Sequence, residues 1–220
     1  MSIAENLKRI KAELGEDVLL VAVSKYSPDA AVEEAYAAGH RDFGENKAQD
    51  LKERYEKMPK DICWHFIGHM QRNKVKYIAP FIQLIHSVDS MRLLEEIDKQ
   101  AAKHDRVIPC LLQMHIAKEE TKFGLDESEL FEMLESDELA TLQHVKIVGL
   151  MAMATNTEQT EVVEQEFKGL TEIFNKLKSS KLPQNVSMET LSMGMSGDYK
   201  IAIACGSNMV RIGSAVFTNE

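Results

Sequence analysis

One alternation runs along almost the whole chain. A short apolar run is followed by a polar break, and the break by a segment with helical spacing. The strand-like runs fall at residues 18–23, 42–43, 62–67, 83–87, 107–116, 144–151, 186–191 and 209–212. Most are rich in Val, Ile and Leu and show no polar face, which marks strands covered on both sides. Strands joined by crossover helices are parallel. The closed solution for eight of them is a (β/α)8 barrel, which needs roughly 200 residues or more. The chain has 220. An open doubly wound sheet is the alternative, but no Gly-x-Gly-x-x-Gly follows the first strand. The chain is therefore expected to form one α/β TIM-barrel domain over residues 1–220, with an extra N-terminal helix.

The helical segments carry their own signals. Ile3, Leu7, Ile10 and Leu14 form one stripe that Gly15 ends. Pro28 fits the first turn of the second helix, with Ser27 as its N-cap and Gly39 as its stop. Helices are expected over 47–57, over 69–77 and from Ser90 through Leu93, Leu94, Ile97 and Ala101. Asp126 with Glu129 forms a capping-box pattern. Val163, Phe167, Leu170, Phe174 and Leu177 mark a long helix. A last helix through Tyr199, Ala202 and Ile203 stops at Gly206.

The net charge of −9 argues against a nucleic-acid partner held through phosphates. The three cysteines, Cys63, Cys110 and Cys205, lack metal-ligand spacing, and their odd number resists a complete disulfide set. No apolar stretch approaches membrane-spanning length. The N-terminal segment is an amphipathic helix and not a signal peptide. A reducing cytoplasm is expected, and no metal site.

Chemistry collects at the expected carboxyl ends of the strands, where α/β folds bind ligands. Lys25 stands where the first strand runs out. An apolar setting for its stem would lower its pKa and suit it to a Schiff base with a carbonyl compound. The plainer alternative is a lysine that snorkels to the surface. Ser192-Met193-Gly194-Met195-Ser196 follows the seventh strand, with Ser196 and Asp198 opening the next helix, and Gly213-Ser214 follows the eighth. Loops at these two places commonly hold phosphate in such barrels. Arg211 interrupts the last apolar run, and its buried charge needs either a structural carboxylate or a ligand acceptor. His65 reads as a satisfied core histidine, Glu45 and Asn46 could reach the same mouth, and Arg72, Lys74 and Lys76 form a solvated face. Lysine and phosphate site together call for a ligand with an aldehyde and a phosphate. Pyridoxal 5′-phosphate (PLP) or an aldolase's sugar phosphate fits.

Several motifs resemble the PLP homeostasis protein family over nearly the whole chain. They are Ala22-Val23-Ser24-Lys25, Phe43-Gly44-Glu45-Asn46, His65-Phe66-Ile67-Gly68 with Gln71, Asn73 and Lys74, Gly149-Leu150-Met151, Leu191 through Ser196, and Val210-Arg211-Ile212-Gly213. The resemblance implies a PLP fold type III barrel like the N-terminal domain of alanine racemase, with PLP on Lys25 and Arg211 facing the pyridine nitrogen. The implied cofactor set is Lys25, Asn46, Ser192, Met193, Gly194, Met195, Ser196, Arg211, Gly213 and Ser214. A role in vitamin B6 and amino-acid homeostasis follows, without catalytic turnover, since the second base that a racemase takes from a further domain has no counterpart here. A PLP-dependent racemase or decarboxylase is the alternative, and a cofactor-free aldolase a further one. Apo PLP-enzymes are expected partners, and the protein is expected to be a monomer. His69 and His115 depart from the family pattern, His115 just before the loop over 117–124.

Overall fold

The computed structural model describes residues 1–118 and 123–218. Eight parallel strands close into a barrel in chain order. They are β1 (Leu19–Val23), β2 (Asp42–Glu45), β3 (Cys63–Phe66), β4 (Leu84–Val88), β5 (Ile108–Met114), β6 (Val145–Ala152), β7 (Val186–Ser192) and β8 (Met209–Ile212). Closure is made by β1 on β8, with Leu19, Leu20, Val21 and Ala22 opposite Met209, Val210, Arg211 and Ile212. The expected barrel is thus the observed one.

Around it run α1 (Ile3–Leu14), α2 (Asp29–Ala37), α3 (Ala48–Lys57), α4 (Met91–Ala102), α5 (Glu127–Glu135), α6 (Asp137–Thr141), α7 (Thr160–Lys178), α8 (Tyr199–Ala204) and α9 (Ser214–Phe217). The main core fills the layer between strands and helices, where Trp64, Phe43, Phe66 and Phe167 are fully enclosed. A smaller apolar set, Val21, Leu84, Leu111, Met151 and Met209, is separate from it. Side chains alternate across each strand, so one set meets the helices and the other fills the barrel. The first helix opens on a capping box between Ser2 and Glu5. It is tied to the chain's end by Asn6, whose Nδ2 donates to the Val216 and Thr218 carbonyls at 3.1 and 3.2 Å.

Two local expectations change, and two short helices join the expected ones. Residues 69–77 do not make an α-helix; a 3-10 helix spans only Arg72–Tyr77. Three of its six residues are basic, and its apolar anchors are too few to wind regular turns onto the barrel. The second helix starts at Asp29 with Pro28 as N-cap, so Ser27 lies outside it. Ser27 is occupied in a turn, its N–H donating to the Ser24 carbonyl at 2.8 Å. Two short helices, α6 and α9, carry too few residues to display a periodic stripe.

One position in the sheet admits no side chain. Gly149 sits in β6 where the register slips against both neighbours. Its φ is 154°, and a Cβ there would lie 1.8 Å from the Thr190 carbonyl oxygen. The bulge needs glycine for both conformation and space. Gly149→Ala should therefore destabilise the fold by about 2–4 kcal/mol. Urea denaturation checks this, and an unchanged midpoint would contradict it.

Candidate functional site

The strand pairing sets four carboxyl ends side by side, those of β7, β8, β1 and β2. Register places Arg211 beside Val21, Val23 beside Gly44, and Ser192 beside Met209. The Arg211 N–H donates to the Gly194 carbonyl at 2.9 Å, which locks the loop after β7 onto β8.

The Arg211 side chain is enclosed, with the residue 4% exposed. Its Nη1 donates to the Ser192 carbonyl (2.8 Å) and Ser192 Oγ (2.7 Å), and its Nη2 to the Ala152 carbonyl (2.9 Å). These partners are neutral oxygens. Burial pulls its pKa down to about 10, against a weaker attraction from Asp198. A structural carboxylate is thus not what holds it, and three of its five N–H groups are used.

From Ser192 a polar chain crosses the barrel. Ser192 Oγ lies 3.2 Å from His86 Nδ1, His86 Nε2 lies 2.9 Å from His65 Nδ1, and His65 Nε2 lies 3.1 Å from Asp42 Oδ1. With both histidines neutral, the Asp42 end sets its polarity. The carboxylate only accepts, so His65 donates to it from Nε2 and accepts the His86 Nε2–H on Nδ1. His86 Nδ1 then accepts from Ser192 Oγ, which itself accepts from Arg211. Burial, with the Arg211 charge working in the same sense, holds His86 far below the usual histidine pKa.

The loop after β7 is tightly built. Ser192, Met193 and Gly194 are buried, and the Met193 N–H is shared between the Met209 carbonyl and Ser207 Oγ. Gly194 has φ 94°, and a Cβ there would stand 2.7 Å from Ala202 Cβ. The Met195 N–H donates to Asp198 Oδ1 at 2.6 Å. Ser196 Oγ accepts from the Gly213 N–H at 3.4 Å, joining this loop to the one after β8. Ser214 opens α9, whose Val216 and Phe217 N–H groups donate to the Gly213 carbonyl at 2.9 and 3.0 Å.

Known proteins share this chain's sequence pattern and barrel. The family model "Alanine racemase, N-terminal domain" matches residues 1–220. A pyridoxal phosphate homeostasis protein of Aquifex aeolicus is 36% identical over 228 aligned residues, covering 99% of this chain and 98% of its own. The chain belongs to the pyridoxal phosphate homeostasis protein family. PipY of Synechococcus elongatus, solved with PLP bound, superposes on this family member with a TM-score of 0.88. It is 35% identical, with 98% of this chain and 99% of PipY covered. Alanine racemase of Bartonella henselae shares the fold alone, at 15% identity and TM-score 0.73, with 99% of this chain and 58% of that one covered.

In this homeostasis-family protein the expected site residues fall on one arc, with differences. Lys25 is not sunk among apolar neighbours. Its strand ends at Val23, and the residue sits exposed in a turn at the rim with Nζ 5.3 Å from the Tyr26 ring centroid. The turn between Ser24 and Ser27 lifts it clear of the barrel wall. Asn46 follows β2 half-buried, whereas Glu45 is buried and bonded to Ser24 Oγ and Arg54 Nη1 at 2.5 and 2.6 Å. His65 is satisfied, as expected, but as one member of the chain to Arg211. His69 stacks on Phe123 with centroids 3.8 Å apart, and its Nδ1 lies 3.4 Å from Asp89 Oδ2. His115 is half-buried at the end of β5, and residues 119–122 of the loop after it lie outside the described residues.

Asp42, His86 and Arg54 went unmarked in the sequence. A histidine within the apolar run of β4 was the one available signal for His86. Among the described residues no cluster of three or more His, Cys, Asp or Glu could hold a metal. A cleft of about 720 Å³ lined by Lys11, Leu20, His40 and Asp42 lies at the opposite end of the strands, where barrels carry stability and not chemistry.

The buried histidines set a pH dependence. His40 is pushed down to about 4 by burial, and His86 is held well below its usual value. As pH falls below about 6.5, the unfolded chain takes up protons these folded histidines refuse, so stability falls by up to about 1.4 kcal/mol per pH unit for each. Burial raises Glu45 and Asp89, which act in the opposite sense. His86→Gln should lose less stability than the parent between pH 7 and pH 5 in urea titrations. Equal losses would contradict a neutral buried His86.

Proposed function

We propose that this protein binds PLP as a Schiff base on Lys25 and serves PLP and amino-acid homeostasis as a carrier without catalytic turnover. The observation that carries this reading is Arg211, a permanent donor enclosed at the mouth whose hydrogen-bond partners there are neutral oxygens. The PLP-bound PipY relative supports it.

The residues present fit the cofactor. The loops after β7 and β8 meet through Ser196 and Gly213, and they offer the Ser196 and Ser214 hydroxyls together with the Ser214 and Ala215 amides to a phosphate. Ser192, Met193, Gly194 and Met195 form the wall beneath, their positions fixed by Ser207, Asp198 and the tight fit at Gly194. Asn46 and Lys25 complete the rim on the side of β2 and β1. When bound, PLP supplies an aldehyde that condenses with amines and a pyridine ring that can withdraw electrons. An arginine facing that ring nitrogen donates and gives up no proton, so the ring stays unprotonated and withdraws weakly. That favours holding the cofactor over turning it over.

No helix of the described residues is long and apolar enough to cross a membrane. Three free cysteines suit a reducing cytoplasm. The protein acts there as a monomer and passes its cofactor to apo PLP-enzymes.

Borohydride reduction of the PLP-loaded protein, followed by peptide mapping, tests the assignment. The adduct should sit on Lys25, and Lys25→Ala should lose it while staying folded. The loaded protein should exchange the α-proton of alanine no faster than free PLP. An adduct confined to another lysine, or exchange well above that background, would overturn the proposal.

A further inference from the structure

We infer that Arg54, on α3 and outside the mouth, is a positioning residue that presents Lys25 for bond formation; this rests on the covalent role proposed for Lys25. Lys25 and Tyr26 form the turn between β1 and α2, and burial anchors neither. Lys25 is exposed and Tyr26 is 81% exposed. The turn is held by its backbone instead.

Arg54 Nη1 donates to the Ser24 carbonyl at 3.0 Å, and Nη2 to the Ser27 carbonyl at 2.7 Å. These carbonyls flank the Lys25-Tyr26 dipeptide on either side. The same Nη1 donates to Glu45 Oε1 at 2.6 Å, and Nε lies 3.2 Å from Asp29 Oδ1. Glu45 Oε1 also accepts from Ser24 Oγ at 2.5 Å, and the Ser24 N–H donates to the Gly44 carbonyl at 3.0 Å. One planar guanidinium therefore bridges both ends of the lysine turn and ties them to β2 and α2. Its side chain is 14% exposed and that of Glu45 4%, so these charged bonds are sheltered from water.

The geometry depends on a fork. A lysine at this position would keep a positive charge beside Glu45, but one ammonium cannot span two carbonyls and Asp29 as a guanidinium does. The clamp takes no part in the covalent step. In that step neutral Lys25 Nζ attacks the aldehyde carbon, a C=N bond replaces C=O, and the oxygen leaves as water with the two amine protons. What the clamp supplies is a fixed Cα from which a flexible side chain searches less space.

The test compares PLP with pyridoxamine 5′-phosphate, which has the same ring and phosphate but no aldehyde. The rate of covalent PLP attachment, pyridoxamine phosphate affinity and thermal midpoint are measured for the parent, Arg54→Lys and Asp29→Asn. Arg54→Lys should slow attachment by about tenfold or more while pyridoxamine phosphate affinity stays within about twofold, and Asp29→Asn should fall between. An unchanged attachment rate in folded Arg54→Lys would overturn the inference. So would parallel losses for both ligands, which mark a structural role in the whole mouth. Should Arg54→Lys not fold, Asp29→Asn decides by the same criteria. An adduct absent from Lys25 in the parent would instead overturn the Lys25 assignment, before any Arg54 variant is compared.

Discussion

The structure depends on the pairing of β1 with β8. It removes the two free edges an eight-stranded sheet would otherwise expose and closes the barrel. It also decides what can be buried. Because Val21 stands opposite Arg211, the arginine is shut inside the mouth, away from solvent. The same closure brings the loops after β7 and β8 beside the Lys25 turn, although they are far apart in sequence.

A closed barrel must then accommodate a buried positive charge. Removing one member of a buried charged network typically costs about 3–5 kcal/mol. Here the one carboxylate that attracts Arg211 is Asp198, and weakly; Asp42, which begins β2, stands at the far end of a hydrogen-bonded line through two histidines and a serine. With its histidines neutral, each group in that line donates on one side and accepts on the other, from Arg211 to the Asp42 carboxylate. Such fully satisfied networks rigidify what they touch. Arg211 is therefore held in place without a carboxylate beside it.

Fold and site differed in how plainly the sequence displayed them. The barrel was legible because its strands are apolar runs separated by helical stripes, and each helix such as α7 repeats its stripe over several turns. Short elements were not, since α6 and α9 have five and four residues and cannot show a period. At the site, Arg211 and Gly194 were legible as exceptions, a charge inside an apolar strand and a glycine at a strand end. Lys25 was placed correctly at the strand's end, but its surroundings were not, because burial of one residue in a turn depends on how far the turn rises. Arg54 was invisible for a related reason. Its partners lie in the turn after β1, on α2 and on β2, and only the folded chain brings them to one guanidinium.

These parts form one device, in which closure makes the mouth, the buried chain fixes Arg211 on one side, and a guanidinium clamp holds the lysine turn on another. A crystal structure of the protein grown with PLP tests that picture most directly. The account predicts continuous density from Lys25 Nζ to the cofactor, its phosphate between the loops after β7 and β8, and Arg211 against the pyridine nitrogen. PLP seated elsewhere, such as in the cleft lined by Lys11 and His40, or bound at the mouth with Arg211 turned away, would contradict it.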